Sequence, residues 1–428
     1  MQNIVSLLGL AVLLAVAWVL SNNRRLFPWR VVLWGLSLQG TLAVLLLRTP
    51  WGQSVFAGAR SFVTRLLAFT DAGASFLWGN LYRTSEDLVQ HVDPGRGYIQ
   101  VTDSATGALV PIGTVFVIHI LPTIIFFSSL MALLYHLGLM QAVIRGMSWV
   151  MRKTMGTSGS ESFSCAANVF VGQTEAPLVI RPYLPTMTKS ELMAVMVGGF
   201  ATVAGGVMAA YVRFGVDAGH LLAASVMSAP AALVVAKIMY PETEDSPTRG
   251  TVTLAVPREY ANVLDAAAGG AGVGLKLAAN IGAMLLAFIA LVAMVNYGLG
   301  FLGLSLQQIF GWVFSPLAWV MGVPWSEAPA FGALLGTKIA VNEFVAYIEL
   351  MAAGEAGALS PRSMVIATYA LCGFANFSSI AIQIGGIGTI APARRADVAG
   401  MGLKAMFGGA LASWLTATIA GVLIGSGA

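Results

Sequence analysis

The hydrophobic positions of this chain gather in blocks too long for the roughly ten-residue strands of an outer-membrane barrel. They suit helices, which satisfy their own backbone hydrogen bonds in lipid. Plain apolar spans lie near residues 4–20, 31–47, 110–137, 189–213, 219–239, 272–297, 362–384 and 401–425, eight in all. Four other stretches do not fit as spans. Residues 56–92 and 303–322 mix aromatic with polar residues and predict interfacial helices. Residues 160–182 and 326–349 are apolar but broken and polar at mid-length, and each precedes a full span. A single crossing by either would upset the charge alternation described below. They predict two re-entrant hairpins, one from each side, a form of backbone tolerated only against protein or a wet cavity.

Composition agrees. Of 428 residues, 57% are hydrophobic and 10% are charged, with a mean hydropathy of +0.80, whereas soluble domains run near a quarter charged. The fold class expected is an all-α integral membrane protein. The net charge of +4 is spread over loops and speaks for topology, not for nucleic acid. Basic residues recur in alternate loops: Arg24, Arg25 and Arg30; Arg145, Arg152, Lys153, Arg181 and Lys189; Arg249 and Arg258; Arg394, Arg395 and Lys404. The positive-inside rule makes these loops cytoplasmic and puts both termini outside, in a cell inner membrane. Arg60, Arg65 and Arg83 fall in an intervening loop, so the bias is not clean. No basic stretch precedes the first apolar run, Ile4 to Leu20, which reads as a first span and not as a cleaved signal peptide. Cys165 and Cys372 lie in apolar or Gly-rich segments without metal spacing and read as small buried hydrophobes.

An internal repeat organises the elements. Gly199-Phe200-Ala201-Thr202 echoes Gly373-Phe374-Ala375-Asn376, and each copy sits downstream of a hairpin with one glutamate, Glu175 or Glu343. Both units hold the order span, interfacial helix, hairpin, broken span, span. An odd number of spans per unit inverts the second copy, which is the inverted-repeat plan of secondary transporters.

The chemistry sits in these breaks. Gly172 marks the tip of the first hairpin, where unusual dihedrals are expected, and Gln173, Thr174 and Glu175 offer an amide, a hydroxyl and a carboxylate. Glu175 could merely cap a helix before Pro177, but a carboxylate at the midplane is costly and favours function. The second hairpin, "GTKIAVNEFVAY" from Gly336 to Tyr347, has Asn342 and Glu343 at its polar core, with Lys338 as a structural ion-pair or carbonyl-binding partner. In "CGFANFSSIAIQIGG", Cys372 to Gly386, the residues Phe374, Asn376 and Ser379 bracket a polar cluster beside an aromatic face that suits a planar base. Phe377 reads as core, and Gly385, Gly386 and Gly388 as a helix break, with close helix packing the alternative. Asn168 and Thr202, with nearby carbonyls, supply neutral oxygens to a hard cation. No Walker sequence exists.

"GQTEAP" (172–177), "GTKIAVNEFVAY" (336–347) and "CGFANFSSIAIQIGG" (372–386) together resemble the concentrative nucleoside transporter family of bacterial type, over the chain from about residue 110 to its end. The resemblance implies a homotrimer in membrane lipid, not an enzyme, that imports nucleosides such as uridine with Na⁺ as coupling ion and no organic cofactor. It implies an elevator-type alternating-access mechanism, in which a transport domain (residues 138–239 and 303–428) moves against a scaffold (1–137 and 240–302). The implied substrate residues are Gln173, Thr174, Glu175 and Val207, with Phe374, toward the base, and Glu343, Asn376 and Ser379 toward the ribose. The implied Na⁺ ligands are Asn168, Thr202 and the carbonyls of Val171 and Val203. Thr202 stands where family members often have Ser, with the hydroxyl kept. Proton coupling is the alternative for the ion. A transporter of another small polar solute, a membrane-embedded enzyme and a passive channel are the alternatives for the class.

Overall fold

The computed structural model describes residues 2–82, 115–248 and 260–424, and no strand occurs among them. Arg83, Arg249 and Arg258, the end of the 56–92 stretch and the start of the 110–137 span lie outside the described residues. The chain opens with α1 (Gln2–Val19), α2 (Trp29–Arg48), α3 (Pro50–Trp78), α4 (Phe116–His119) and α5 (Leu121–His136). A first unit follows: α6 (Leu139–Met155), α7 (Gly159–Ala167), α8 (Ala176–Val179), α9 (Lys189–Ala201), α10 (Gly205–Arg213) and α11 (Ala218–Met239). The long α12 (Val263–Gly300) links it to the second: α13 (Leu306–Val320), α14 (Ala328–Ala340), α15 (Glu343–Glu355), α16 (Pro361–Leu371), α17 (Phe377–Ile390) and α18 (Arg395–Leu423). Each unit runs outer helix, two half-helices, a second broken pair, then a full helix, so the repeat expected from four matching residues extends to every element.

Among the described residues, seven helical stretches are long and apolar enough to cross a membrane. The remaining expected span, 362–384, is broken, as the repeat predicts, into two pieces, α16 and α17. At 1.5 Å per residue α16 is only about 17 Å long, short of a hydrocarbon core of about 30 Å. The 189–213 span is likewise interrupted between α9 and α10. α12 starts nine residues before the expected 272, because the Asn262 side chain accepts from Asp265 N and begins the helix early.

Burial separates a centre from a periphery. In α11, 89% of the most apolar window is buried, against 17% in α12. α9, α11, α16 and α17 all pack against α18, so the two units wrap one another around the last helix. α1 and α2 cover α18 and α11 from outside, and α5 bridges α10 to α12.

The basic loops meet at one end of the molecule. Arg30 donates to the carbonyls of Lys153 and Thr154, Lys404 to Asn22 and Arg394 to the carbonyl of Met187. The opposite end carries Arg60 with Asp217 and Arg213 with Asp71 and Tyr82. Burial pushes the Asp217 carboxyl up, but bonds from Arg60 and from His220 N outweigh that and hold it below the usual carboxylate range. Beneath α7 lies a buried ionic cluster. Lys237 Nζ stands 2.7 Å from Glu161 Oε2 and 3.2 Å from Glu242 Oε2, and donates to Ser190 Oγ at 2.9 Å. Glu161 also closes a capping box by accepting from Ser158 N at 2.7 Å. This cluster ties the base of the first half-helix to α9 and α11.

Candidate functional site

The backbone leaves helical geometry at four places, and these places touch. α7 ends at Asn168, and residues 168–175 form turns before α8. α9 ends at Thr202 and α10 begins at Gly205. The N–H of Gly205, which no helical carbonyl can take, donates to Phe170 O at 2.9 Å. The first two breaks are thereby bonded together. In the second unit α14 and α15 part at Val341 and Asn342, and α16 and α17 part at residues 372–376. Gly373 has φ +134°, and a Cβ there would lie 2.7 Å from Phe200 O. Only glycine serves, for both its dihedral and its contact. The two Gly-Phe-Ala segments of the repeat thus face each other, and Ser413 Oγ of α18 seals the crossing by donating to Cys372 O at 2.7 Å.

Side-chain caps aim the polar groups. Asn342 accepts from Val345 N at 3.0 Å and starts α15, which places Glu343 in its first turn. Asn376 Oδ1 accepts from Ser379 N at 2.9 Å and from Ser378 Oγ at 2.8 Å, starting α17. That leaves Asn376 Nδ2 to donate to Glu343 Oε2 at 3.0 Å. The other oxygen, Glu343 Oε1, accepts from Tyr211 OH of α10 at 3.0 Å. Glu343 is 3% exposed, so this carboxylate is held by donors from both units with little water. Lys338 Nζ donates to Ala370 O at 2.8 Å, the carbonyl-binding role expected of it.

At the first break Gln173 Oε1 accepts from Gln383 Nε2 at 3.1 Å. Thr174 packs on Gly386, where a Cβ would sit 3.0 Å from the threonine methyl. Glu175 folds back over Gly172, and Val207 is buried in the first turn of α10. Phe374 is half-buried in the 372–376 break and Ser379 is buried. Asn168 Nδ2 donates to Ser164 O at 3.0 Å, while its Oδ1 is buried with no partner among the described residues. Thr202 Oγ1 donates to Gly198 O at 2.9 Å, and Gly198 lies against Asn168, so the two side chains share one glycine. Val171 and Val203 stand in non-helical backbone beside them.

Three expectations are corrected. Gly172 does not adopt a positive φ; the Glu175 carboxylate lies over it in the space a Cβ would fill. Gly385, Gly386 and Gly388 do not break a helix but lie inside α17, where Gly386 and Gly388 admit Thr174 and Arg395. Phe377 is not core but 52% exposed on this chain. Two residues at the site carried no signal in the sequence, Tyr211 and Gln383. Each is one polar group in an apolar run, and only its partner across the repeat marks it.

Broken helices meeting in a buried polar crossing, within a stack of membrane-length apolar helices, define a multi-pass helical transporter. Three family models match consecutive parts of the chain: Na+ dependent nucleoside transporter N-terminus at residues 8–81, Nucleoside recognition at 117–218, and Na+ dependent nucleoside transporter C-terminus at 220–421. An uncharacterised transporter of Haemophilus influenzae is 45% identical over 434 residues, covering 99% of this chain and 98% of that one. Sodium/nucleoside cotransporter 1 of Rattus norvegicus is 43% identical over 443 residues, and the match spans 99% of this chain but 64% of the rat protein's length. Among solved structures, CNTnw in an inward-facing substrate-bound state superposes with a TM-score of 0.89 at 45% identity, covering 100% of this chain and 99% of that one. A substituted CNTnw in an outward-facing state gives 0.88 at 44% identity, covering 99% and 98%. The chain belongs to the concentrative nucleoside transporter family.

Proposed function

We propose that the chain imports nucleosides together with Na⁺, by carrying the crossing of its two units from one face of the membrane to the other. The observation that carries this reading is the pair of polar ends brought to one crossing: Gln173 with Thr174 and Glu175 on the first break, and Glu343 with Asn376 and Ser379 on the second. An amide and a carboxylate suit the edge of a heterocycle, and Val207 and Phe374 offer apolar surface for its face. Glu343, Asn376 and Ser379 suit sugar hydroxyls, which donate to a carboxylate through charge-assisted bonds.

The cation fits beside the first break. A buried amide oxygen without a donor costs about 1–3 kcal/mol, and Asn168 Oδ1 is such an atom. With the Thr202 hydroxyl oxygen and the carbonyls of Val171 and Val203 it makes a set of neutral oxygens, the chemistry a hard monovalent ion takes. Na⁺ there would hold the 168–175 turns against α9 and so preorganise Gln173, Thr174 and Glu175. The ion then favours the loaded state, which is what coupling requires.

For the motion, the two units would form a transport domain (residues 138–239 and 303–428) that travels as an elevator past a scaffold (1–137 and 240–302), with the half-helix pairs as re-entrant hairpins. A homotrimer, formed through the scaffold, is supported by the apolar outer face of α12, where Leu264, Leu275 and Leu286 are exposed. Both termini would lie outside the cytoplasm, because the basic loops gather at one end. Calorimetric titration with uridine in NaCl and in choline chloride tests the pairing of ligands. Binding in NaCl that weakens at least tenfold in choline is expected; no binding of any nucleoside in either salt refutes the reading.

A further inference from the structure

Gln383 lies in the middle of α17, is 1% exposed, and joins the two units at their crossing. Its Nε2 stands 3.0 Å from Met196 O and 3.1 Å from Gln173 Oε1. A carbonyl can only accept, so the nitrogen end of Gln383 must be the end that faces Met196. The two hydrogens of that nitrogen are then spent, one on Met196 O and one on Gln173 Oε1. This fixes the Gln173 amide in turn: its oxygen is occupied, and its NH₂ faces away from Gln383.

Two further observations say that this arrangement is not ordinary packing. Gly199 stands under both amides, and a Cβ there would lie 2.7 Å from Gln383 Nε2 and 2.9 Å from Gln173 Cβ. The close approach therefore needs a glycine at that position of α9. Gln383 Oε1, moreover, is buried without a partner among the described residues. An unmet buried acceptor is a destabilising feature that an apolar side chain would avoid. Burial of the amide makes sense if its nitrogen is what the site requires.

We propose that Gln383 is a positioning residue that sets which end of the Gln173 amide meets the substrate, and that the substrate presents a hydrogen-bond acceptor to Gln173. This rests on the nucleoside reading above. The acceptor is a ring carbonyl or an unprotonated ring nitrogen of the base, and Gln173 reads it as a donor. Gln383 touches no substrate; it removes the alternative in which Gln173 turns over and offers its oxygen. The relay also makes the base end of the site depend on the register of α17 against α9, which couples recognition to the packing of one unit on the other.

A double-substitution cycle tests this, read as uridine affinity by calorimetry on the full-length protein in NaCl. Gln383→Met keeps the length and removes the donor, and weakens uridine binding about tenfold, the worth of one well-placed hydrogen bond. In a Gln173→Ala background the same substitution changes affinity by less than about twofold, because nothing is left to orient. An equal loss in both backgrounds would mean a general structural role and overturn the assignment, as would no loss in the native background. Should Gln383→Met not yield folded protein, Gln383→Leu enters the same cycle, since it too has no donor for Met196 O. Native protein that binds uridine but shows an additive cycle overturns only this inference. Native protein that binds no nucleoside overturns the proposed function with it.

Discussion

Glu343→Gln separates the charge of the site from its shape. The carboxylate holds two donors, Tyr211 OH on Oε1 and Asn376 Nδ2 on Oε2, each at 3.0 Å. Asn376 cannot turn its oxygen toward position 343, because that oxygen is committed to Ser379 N and Ser378 Oγ. An amide introduced at 343 would therefore put its oxygen toward Asn376. Its NH₂ would face Tyr211, whose hydroxyl can accept as readily as donate. The network closes again without a charge, so the fold should survive and the melting temperature stay within about 3 °C. What is lost is charge assistance to the sugar. A bond to a charged group contributes about 1.5–3 kcal/mol and a neutral one about 0.5–1.5. Two sugar hydroxyls thus lose about 2–3 kcal/mol together, or about 30- to 140-fold in affinity. Calorimetry with uridine and with 2′,3′-dideoxyuridine gives the readout. The substitution should weaken uridine by that factor and leave the dideoxy compound within about twofold. Unchanged uridine affinity, or an equal loss for both ligands, would refute the assignment of Glu343 to the ribose.

Asn168→Ala removes the orphaned Oδ1 and should raise the Na⁺ concentration for half-maximal uridine binding at least tenfold; an unaltered Na⁺ dependence counts against that ligand. Lys237→Met strands Glu161 in the buried cluster and should cost about 3–5 kcal/mol, seen as a fall in melting temperature. Adding Glu161→Gln should restore more than half of it, and a double variant no more stable than the single would show that the ion pair is not what holds α7. Asp217→Asn keeps the cap on His220 N but loses the ion pair with exposed Arg60, worth about 0.5 kcal/mol. Because the folded carboxyl is held below its usual range, that stability is present above about pH 4 and lost as pH falls through the lowered value. Melting curves of the two proteins should differ by a steady amount from pH 7 to 5 and draw together as pH falls below about 4; a gap that widens on acidification would contradict the pair.

Much of this architecture was legible in the apolar pattern, because lipid forces each crossing to be a helix of bilayer length. α1, α2, α9 with α10, α11 and α18 stand near their expected places. The two breaks in the repeat were legible too, since Thr202 and Asn376 are polar residues in runs that lipid would otherwise keep apolar. Glycine was less informative. Composition cannot distinguish a glycine that breaks a helix, as Gly373 does, from one that admits a neighbour, as Gly386 does. The buried cluster was missed because Lys237, near the end of an apolar span, reads like an ordinary interfacial flank. Its partners Glu161 and Glu242 come from different segments. Tyr211 and Gln383 were missed for the same reason. Each acts on a residue of the other unit, 132 and 210 positions away along the chain, and no local spacing records such a pairing.

In the proposed mechanism Na⁺ drives nucleoside movement through this crossing. Uptake of radiolabelled uridine into proteoliposomes, with Na⁺ and pH gradients imposed separately, tests it most directly. An inward Na⁺ gradient at equal pH should drive accumulation above equilibrium, and a pH gradient without Na⁺ should not. Accumulation driven by the pH gradient alone would overturn the ion assignment, and no uptake of any nucleoside under either gradient would contradict the account as a whole.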